Sequence, residues 1–580
     1  MIKAENFSYG FSDIELYKNI SFTLEEGQHC VLIGSNGTGK TTLANIIRSP
    51  EDYIYNGKLF MEGVGRTGYV SQFASREKGQ DITVFDYLSS DFLRLQEEIA
   101  DVCAKMGESD DLDTLLETYQ QLLDESEAVD ADNFDVNIRR RLHLAELDTK
   151  ADLEISKLSG GEYKLVQIIR QMLRRPGLLI MDEPDVFLDF ENLKGLRELI
   201  NAYEGTMLVI THNRYLLGHC FNKIWHLENA DLQEYEGNYL EYNYSLLQKK
   251  IDLQERSEAD ELAIRLTTEM VERMREEASE IIDPLRGRTL KGKVSYLERL
   301  KARQIKAPFV EIREPVISLP EITPEEEPAV LLAVSDYSLA FDEKLLENVN
   351  FTIKSNEKVA IVGPNGTGKT TLLRALWNND DPSIQFTEKA KVGFFSQLHE
   401  DTLNEDNTIY REFYDLGFET PSQVENHLSN YCFDPDILDR KISQLSGGEK
   451  NLLQLAKLAV GDANLLLLDE PSSHLDTYSQ IALEKAIADY KGAILMVSHD
   501  FYSIANCADS VLFVENGTIR PMSGRAFRKM IYKRHFSREY LELELKKKEL
   551  EIRIARALEA GDRKTAGKLC DELGGIIGQM

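Results

Sequence analysis

The chain has 580 residues, 42% hydrophobic and 29% charged, and its 99 Asp and Glu outweigh 67 Lys and Arg for a net charge of −32. At about 150 residues per domain this allows three or four domains with ample core, and the acidic excess argues against a surface made to coat DNA or lipid. No run approaches the ~18 apolar residues of a membrane span, the first residues hold no apolar signal core, and the six scattered cysteines form no Cys-x-x-Cys pair, which fits a reducing cytosol.

The first predicted strand with a chemical role covers 30–33 and runs into Gly34, Ser35, Asn36, Gly37, Thr38, Gly39, Lys40, Thr41 and Thr42. Glycines in a strand-to-helix turn let backbone N–H groups face phosphate oxygens, and the helix N-terminus adds positive potential. Lys40 suits the β- and γ-phosphates of a nucleotide, and Thr41 suits Mg²⁺. Gln72 follows, in Val70-Ser71-Gln72. From Asp91 to Asp135 come 15 acidic and 2 basic residues, read as a solvated helical face. Such a segment should not grip RNA; a contact to a basic protein is the other reading. Ser159, Gly160 and Gly161 then open an apolar-periodic helix, Ser159 as its N-cap and the small residues as an anion site. A strand over 178–183 ends in Asp182 and Glu183. An apolar strand ending in paired acids points to a cation and a reaction. Asp182 suits the Mg²⁺ shell, and Glu183 suits positioning or polarising an attacking water. Thr211-His212-Asn213 comes last.

From Leu240 the apolar residues step at helical spacing through Tyr244, Leu247, Ile251, Leu262, Leu266, Met270 and Met274 to Ile281, and Pro284 stops the pattern. The stretch from Pro284 to Lys306 reverses the charge of the chain: eight basic residues, among them Arg286, Arg288, Lys291 and Lys293, face Glu298 alone. A local reversal of this kind points to a phosphate-rich partner, with Tyr296 available to stack on a base; a basic loop without a partner is the alternative. Pro308, Pro315, Pro320, Pro324 and Pro328 mark an extended return.

The motifs then repeat. A strand over 359–362 leads to Gly363, Pro364, Asn365, Gly366, Thr367, Gly368, Lys369, Thr370 and Thr371; Gln397, then Ser446, Gly447 and Gly448, then Asp469 and Glu470, then Ser498-His499-Asp500 follow in the same order. From Leu158 onward the two copies align at a constant offset of 287, while the glutamines are offset by 325, which places 38 extra residues between Gln72 and Leu158. After residue 525 comes a charged helical tail with a turn near Gly561-Asp562.

The order of these motifs resembles the ATP-binding cassette superfamily, and two cassettes in one chain around a helical linker resemble its ABC-F family, whose usual exit from cassette one is similar to Tyr235-Glu236-Gly237-Asn238-Tyr239. The resemblance implies an α/β fold of two tandem phosphate-loop nucleotide-binding domains, a helical linker and a helical C-terminal extension. The expected boundaries are 1–238 for cassette one, with the acidic arm at about 91–135, 239–328 for the linker, 329–525 for cassette two and 526–580 for the extension. It also implies a head-to-tail sandwich of two ATP with Mg²⁺. Site one would use Lys40, Thr41, Gln72, Asp182, Glu183 and His212 with Ser446, Gly447 and Gly448. Site two would use Lys369, Thr370, Gln397, Asp469, Glu470 and His499 with Ser159, Gly160 and Gly161. Gln72 and Gln397 join the Mg²⁺ shells in this scheme. The adenine-stacking aromatic falls near Tyr9 or Phe11 in one site and near Phe341 in the other.

In that family the interdomain segment reaches into the ribosome and contacts tRNA and ribosomal RNA; some members are translation factors and others protect against antibiotics. The expectation is a monomeric, cytoplasmic ATP hydrolase with no stable membrane partner. The competing readings are the ATPase subunit of a membrane transporter and a DNA-associated ATPase. One departure stands out: Phe187 and Thr211-His212-Asn213 replace the family's His and Ser-His-Asp, which remain as His474 and Ser498-His499-Asp500 in the second copy. Both sites are expected to hydrolyse, the one holding Glu470 faster.

Overall fold

The computed structural model describes residues 1–11, 14–72, 82–106, 112–186, 188–280, 291, 293–299, 315–323, 328–340, 344–535, 538–559 and 562–579. Contacts divide the chain into two units, one of Met1–Asn238 with Glu314–His535 and one of Tyr239–Arg313 with Phe536–Met580.

The first unit holds both copies of the repeat. In the first copy the strands are β1 (Ile2–Phe11), β2 (Ile14–Leu24), β3 (His29–Ile33), β4 (Asn56–Met61), β5 (Thr67–Val70), β6 (Leu178–Asp182), β7 (Met207–Ile210), β8 (Lys223–Glu228) and β9 (Asp231–Glu236). Six of them form a sheet in the order β5-β6-β7-β3-β8-β9, and β2-β1-β4 form a second, antiparallel sheet. Every residue of β6 and β7 is buried. That is why these strands read as unbroken apolar runs: a parallel strand covered on both faces has no polar side to show. The second copy repeats the plan with β10 (Val330–Ala340), β11 (Lys344–Lys354), β12 (Lys358–Val362), β13 (Ile384–Phe386), β14 (Val392–Phe395), β15 (Leu465–Asp469), β16 (Ala493–Val497), β17 (Ser510–Glu515) and β18 (Thr518–Ser523). Its sheet orders, β14-β15-β16-β12-β17-β18 and β11-β10-β13, match the first copy strand for strand. The chain is thus two tandem α/β phosphate-loop cassettes.

Helix α1 (Lys40–Arg48) follows the first phosphate loop. The 38 extra residues fall within α2 (Val84–Met106), α3 (Leu112–Ala128) and α4 (Phe134–Leu144), ahead of α5 (Gly160–Leu173). Helix α2 buries Tyr87, Leu88, Phe92 and Leu95, whereas α3 buries no residue fully. Asp91 of this arm is tied down, accepting hydrogen bonds from Arg170 of α5 and from Arg174 just beyond it. Helices α6 (Phe190–Asn201) and α7 (Arg214–Leu217) complete the copy. The proline-rich return runs over 315–323 without regular structure, anchored where the Val316 N–H donates to Asn430 O at 2.7 Å and by the buried Ile317 and Leu319.

The second unit contains α8 (Tyr239–Glu280), 42 residues, about 63 Å long at ~1.5 Å per residue. Helices Arg538–Glu559 and Arg563–Ile577 form a hairpin whose Leu550, Ile554, Leu569, Cys570 and Leu573 pack with Leu240, Tyr244 and Leu247 of α8. The charged tail therefore has an apolar stripe, and that stripe covers the base of the linker helix. Among the described residues no helix is long and apolar enough to cross a membrane.

Candidate functional site

Both phosphate loops end on a left-handed glycine at the N-cap of the following helix, Gly39 at φ 93° and Gly368 at φ 87°. This region is open to glycine at little cost. A Cβ at Gly39 would also lie 2.8 Å from the Tyr17 hydroxyl, which donates to Gly39 O at 2.5 Å. Lys40 Nζ donates to Gly34 O and Ser35 O, both at 2.9 Å, and Lys369 Nζ to Gly363 O at 2.9 Å and Pro364 O at 2.7 Å. Burial lowers the pKa of both ammonium groups, against the pull of nearby carboxylates.

Behind the loops, Asp182 and Asp469 are buried at the ends of β6 and β15, and burial raises both carboxyls to about 6. Thr370 Oγ1 donates to Asp469 Oδ1 at 3.1 Å, and Asp469 Oδ2 is buried with no hydrogen-bond partner among the described residues. A buried carboxylate with a free oxygen beside a threonine hydroxyl is the donor set a hard divalent cation takes. Mg²⁺ fits here. Gln397 lines the same cleft.

Glu183 and Glu470 sit one residue past their strands at φ 46° and 49°, a turn that takes each carboxyl out of the sheet. Their surroundings differ. The Glu183 carboxyl is raised by burial, but its contact with His474 and the Lys40 ammonium more than reverse this and hold it below the usual value. The Glu470 carboxyl is pushed up by burial and by Asp469, although the His499 N–H donates to it at 3.1 Å. His212 and His499 are buried, and burial with a neighbouring lysine lowers both, His499 to about 3. Both rings are therefore neutral at pH 7.

The two copies meet head to tail. The Asn36 N–H in the first phosphate loop donates to Asp476 Oδ2 of the second copy at 3.1 Å, and the Asn365 N–H donates to Asp189 Oδ2 of the first at 3.0 Å. Each aspartate uses its other oxygen to cap a helix, through Ser479 N and Asn192 N. Ser159 and Ser446 cap α5 and helix Gly447–Ala459 in capping boxes with Glu162 and Glu449. A Cβ on Gly448 would lie 2.0 Å from Asn36 Nδ2, so the second Ser-Gly-Gly turn packs on the first phosphate loop. Conversely, a cavity of about 500 Å³ is lined by Gly160 and Gly161 together with Gly366, Lys369, Thr370, Glu470 and His499.

Sequence reasoning did not single out Asp189 and Asp476, although the constant offset of 287 pairs them. Nor did it find Lys164, which donates to the Ser71 and Gln72 carbonyls and so holds the glutamine turn. Tyr9 stacks on Tyr17, with ring centroids 6.2 Å apart, and meets Tyr53 and Phe11 edge to face; Phe11 is exposed. Phe341, Arg286 and Arg288 lie outside the described residues. Lys291 and Lys293 are helical, with Lys293 Nζ 5.8 Å from the centre of the Tyr296 ring.

The family profile described as ABC transporter matches residues 17–186 and 346–473. The chain is 31% identical over 526 residues to the uncharacterized ABC transporter ATP-binding protein YfmM of Bacillus subtilis (strain 168), covering 87% of this chain and 96% of that one. It is 28% identical over 530 residues to the energy-dependent translational throttle protein EttA of Escherichia coli O6:H1, covering 88% and 91%. The archaeal ribosome recycling factor aABCE1, solved with the ribosomal stalk protein aP1, shares the fold at a TM-score of 0.52 and 19% identity over 92% of each chain. The chain belongs to the ABC transporter family of ATP-binding cassette proteins, in its two-cassette ABC-F branch.

Proposed function

We propose that this ABC-F ATPase binds two ATP head to tail between its cassettes, hydrolyses them with Mg²⁺, and acts on the ribosome through its linker, as a translation factor or as a protector against antibiotics. The cassettes are 1–238 and 329–525, the linker 239–328 and the extension 526–580. The observation that carries the reading is the reciprocal pair Asn36–Asp476 and Asn365–Asp189, which docks each phosphate loop on the other cassette and supports a head-to-tail pairing of phosphate loop and Ser-Gly-Gly turn. Site one comprises Lys40, Glu183 and His212 with Ser446, Gly447 and Gly448; site two comprises Lys369, Glu470 and His499 with Ser159, Gly160 and Gly161.

In each site the loop N–H groups and the lysine bind the phosphates. The glutamate orients the attacking water and takes its proton, and the neutral histidine supplies a hydrogen-bonding ring nitrogen. Thr41, Gln72 and Asp182 would hold Mg²⁺ in site one and Thr370, Gln397 and Asp469 in site two, and bound Mg²⁺ offsets phosphate charge. Tyr9 and Phe341 serve the adenine rings. Ribosomal RNA and tRNA are the partners of Arg286, Arg288, Lys291 and Lys293, in a cytoplasmic monomer with no stable membrane partner. The similarity to a translational throttle protein supports the ribosome as target. The test of the chemistry is Glu183→Gln with Glu470→Gln, since Gln keeps the shape but cannot take the proton. ATP turnover should vanish while ATP stays bound; wild-type turnover would overturn the assignment.

A further inference from the structure

The turn that carries Asp476 also carries His474, whose backbone is left-handed at φ 56°. A side chain in that region costs ~1–2 kcal/mol and persists only where neighbours hold it. Here they do. Asn36 Nδ2 in the first cassette donates to His474 O at 3.0 Å, and a Cβ on Gly447 would lie 3.2 Å from the imidazole Cγ, so the turn is packed between the first phosphate loop and the second Ser-Gly-Gly.

The imidazole, 12% exposed, crosses into site one. Its Nδ1 lies 3.1 Å from Gln72 Nε2 and 3.4 Å from Glu183 Oε2. Gln72 Nε2 itself donates to Glu183 Oε2 at 2.5 Å. An amide nitrogen carries two protons. One goes to Glu183, and the second is in reach of His474 Nδ1, the acceptor in the tautomer protonated at Nε2; amide orientation and tautomer are both assigned from these partners. With the nitrogen thus engaged on both sides, the Gln72 amide oxygen is the end left for a cation. The matching position of the first cassette differs in sequence. The repeat offset of 287 puts Phe187 at the position of His474, a side chain with no hydrogen-bonding atom, and the N–H that donates to Glu470 comes from His499 in its own cassette.

We infer that His474 is a positioning residue acting across the cassette interface: by accepting from Gln72 it fixes the amide and, through it, the Glu183 carboxylate, so that site one is assembled only when the second cassette is seated. The inference rests on the two-site hydrolysis proposed above and assigns to site one a control that site two lacks. Misplacing a reacting group by about 1 Å costs up to ~100-fold in rate, so loss of the acceptor should act on the hydrolytic step rather than on ATP binding.

The test isolates each site in a single turnover by chemical quench, using Glu470→Gln to leave site one live and Glu183→Gln to leave site two live. His474→Phe, which copies the other cassette, should slow ADP formation in the Glu470→Gln protein about 10- to 100-fold. In the Glu183→Gln protein the same change should alter the rate by less than about twofold, whereas a merely structural role would slow both. His474→Asn retains an acceptor close to the Nδ1 position and should recover most of the rate. In the doubly inactive protein, equilibrium titration with a fluorescent ATP analogue and Mg²⁺ should give the same affinity with and without His474→Phe. Equal slowing at both sites, an Asn variant as slow as the Phe variant, or no slowing at site one overturns the inference. If the Glu470→Gln parent itself forms no ADP, hydrolysis at site one is refuted, and the inference falls with it.

Discussion

Arg214 follows His212 in the first cassette, and its guanidinium reaches the second. Nη2 donates to Glu484 and, at 2.9 Å, to Asp500 Oδ2, and the group lies 4.8 Å from the centre of the Tyr502 ring. The side chains of Arg214, Glu484 and Asp500 are only 14%, 10% and 20% exposed. The repeat has no second copy of this contact, because its counterparts are Phe501, Arg197 and Asn213. This ion-pair cluster therefore ties the loop of His212 to the loop of His499. Breaking a buried pair typically costs ~3–5 kcal/mol, because charge is left without a partner. Here the carboxylates keep other donors, Asn506 Nδ2 to Glu484 and Tyr502 N to Asp500, with the one Ser503 hydroxyl proton in reach of both. About 2–3 kcal/mol is the appropriate figure for Arg214→Met, a shift of about 30- to 150-fold in the open–closed balance. The assay is the release rate of ATP from the Glu183→Gln, Glu470→Gln protein after chase with unlabelled ATP. Arg214→Met should speed release by that factor. Adding Glu484→Gln and Asp500→Asn should not worsen it, since members of one network are not additive. Unchanged release, or losses that add, would refute the cluster as a latch.

Three further outcomes follow from the same geometry. Because His474 serves site one and the glutamates differ in their surroundings, single-turnover hydrolysis should be faster with Glu470→Gln than with Glu183→Gln; the reverse order would contradict the assignment of the turns. Burial raises the Asp91 carboxyl, but hydrogen bonds from Arg170 and Arg174 outweigh it and leave the pKa lowered. That stabilisation is present above the unfolded value of ~3.9 and is lost as pH falls through the folded value. Asp91→Asn should therefore cost about 1–2 kcal/mol in urea unfolding at pH 7, with the gap from wild type closing in acid. Ile554 is 1% exposed in the hairpin packed on α8, so Ile554→Ala should cost about 2–4 kcal/mol and raise amide exchange in helices Arg538–Glu559 and Arg563–Ile577, while ATP binding is kept.

The cassette plan was legible because its chemistry is local. A phosphate loop needs its glycines and lysine within one turn, and β6 and β15 must be apolar throughout because both faces are covered. The long helix was legible from spacing alone, and α8 runs from Tyr239 to Glu280, just short of Pro284. What the sequence hid are pairings across large separations. Asn36 meets Asp476 and Gln72 meets His474, each more than four hundred residues apart. The expectation of a slower site at Glu183 assigned Phe187 to the site of its own cassette; Asp189, two residues on in the sequence, binds Asn365 in the other. In a head-to-tail pair a departure in one cassette is felt in the opposite site. The apolar stripe of the C-terminal hairpin was hidden as well, diluted among the charges of Arg538–Glu559.

The central claim is that ATP-closed cassettes present a basic linker tip to the ribosome. The direct measurement is co-sedimentation with ribosomes of the Glu183→Gln, Glu470→Gln protein across a salt series, with and without Ala at Arg286, Arg288, Lys291 and Lys293. The trapped protein should sediment with ribosomes, more weakly as salt rises, and each phosphate contact removed should lower the salt slope by about one unit. The four substitutions should weaken binding and flatten that slope. A trapped protein that never sediments with ribosomes would contradict the claim, and binding with an unchanged slope would show that the tip is not what holds the RNA.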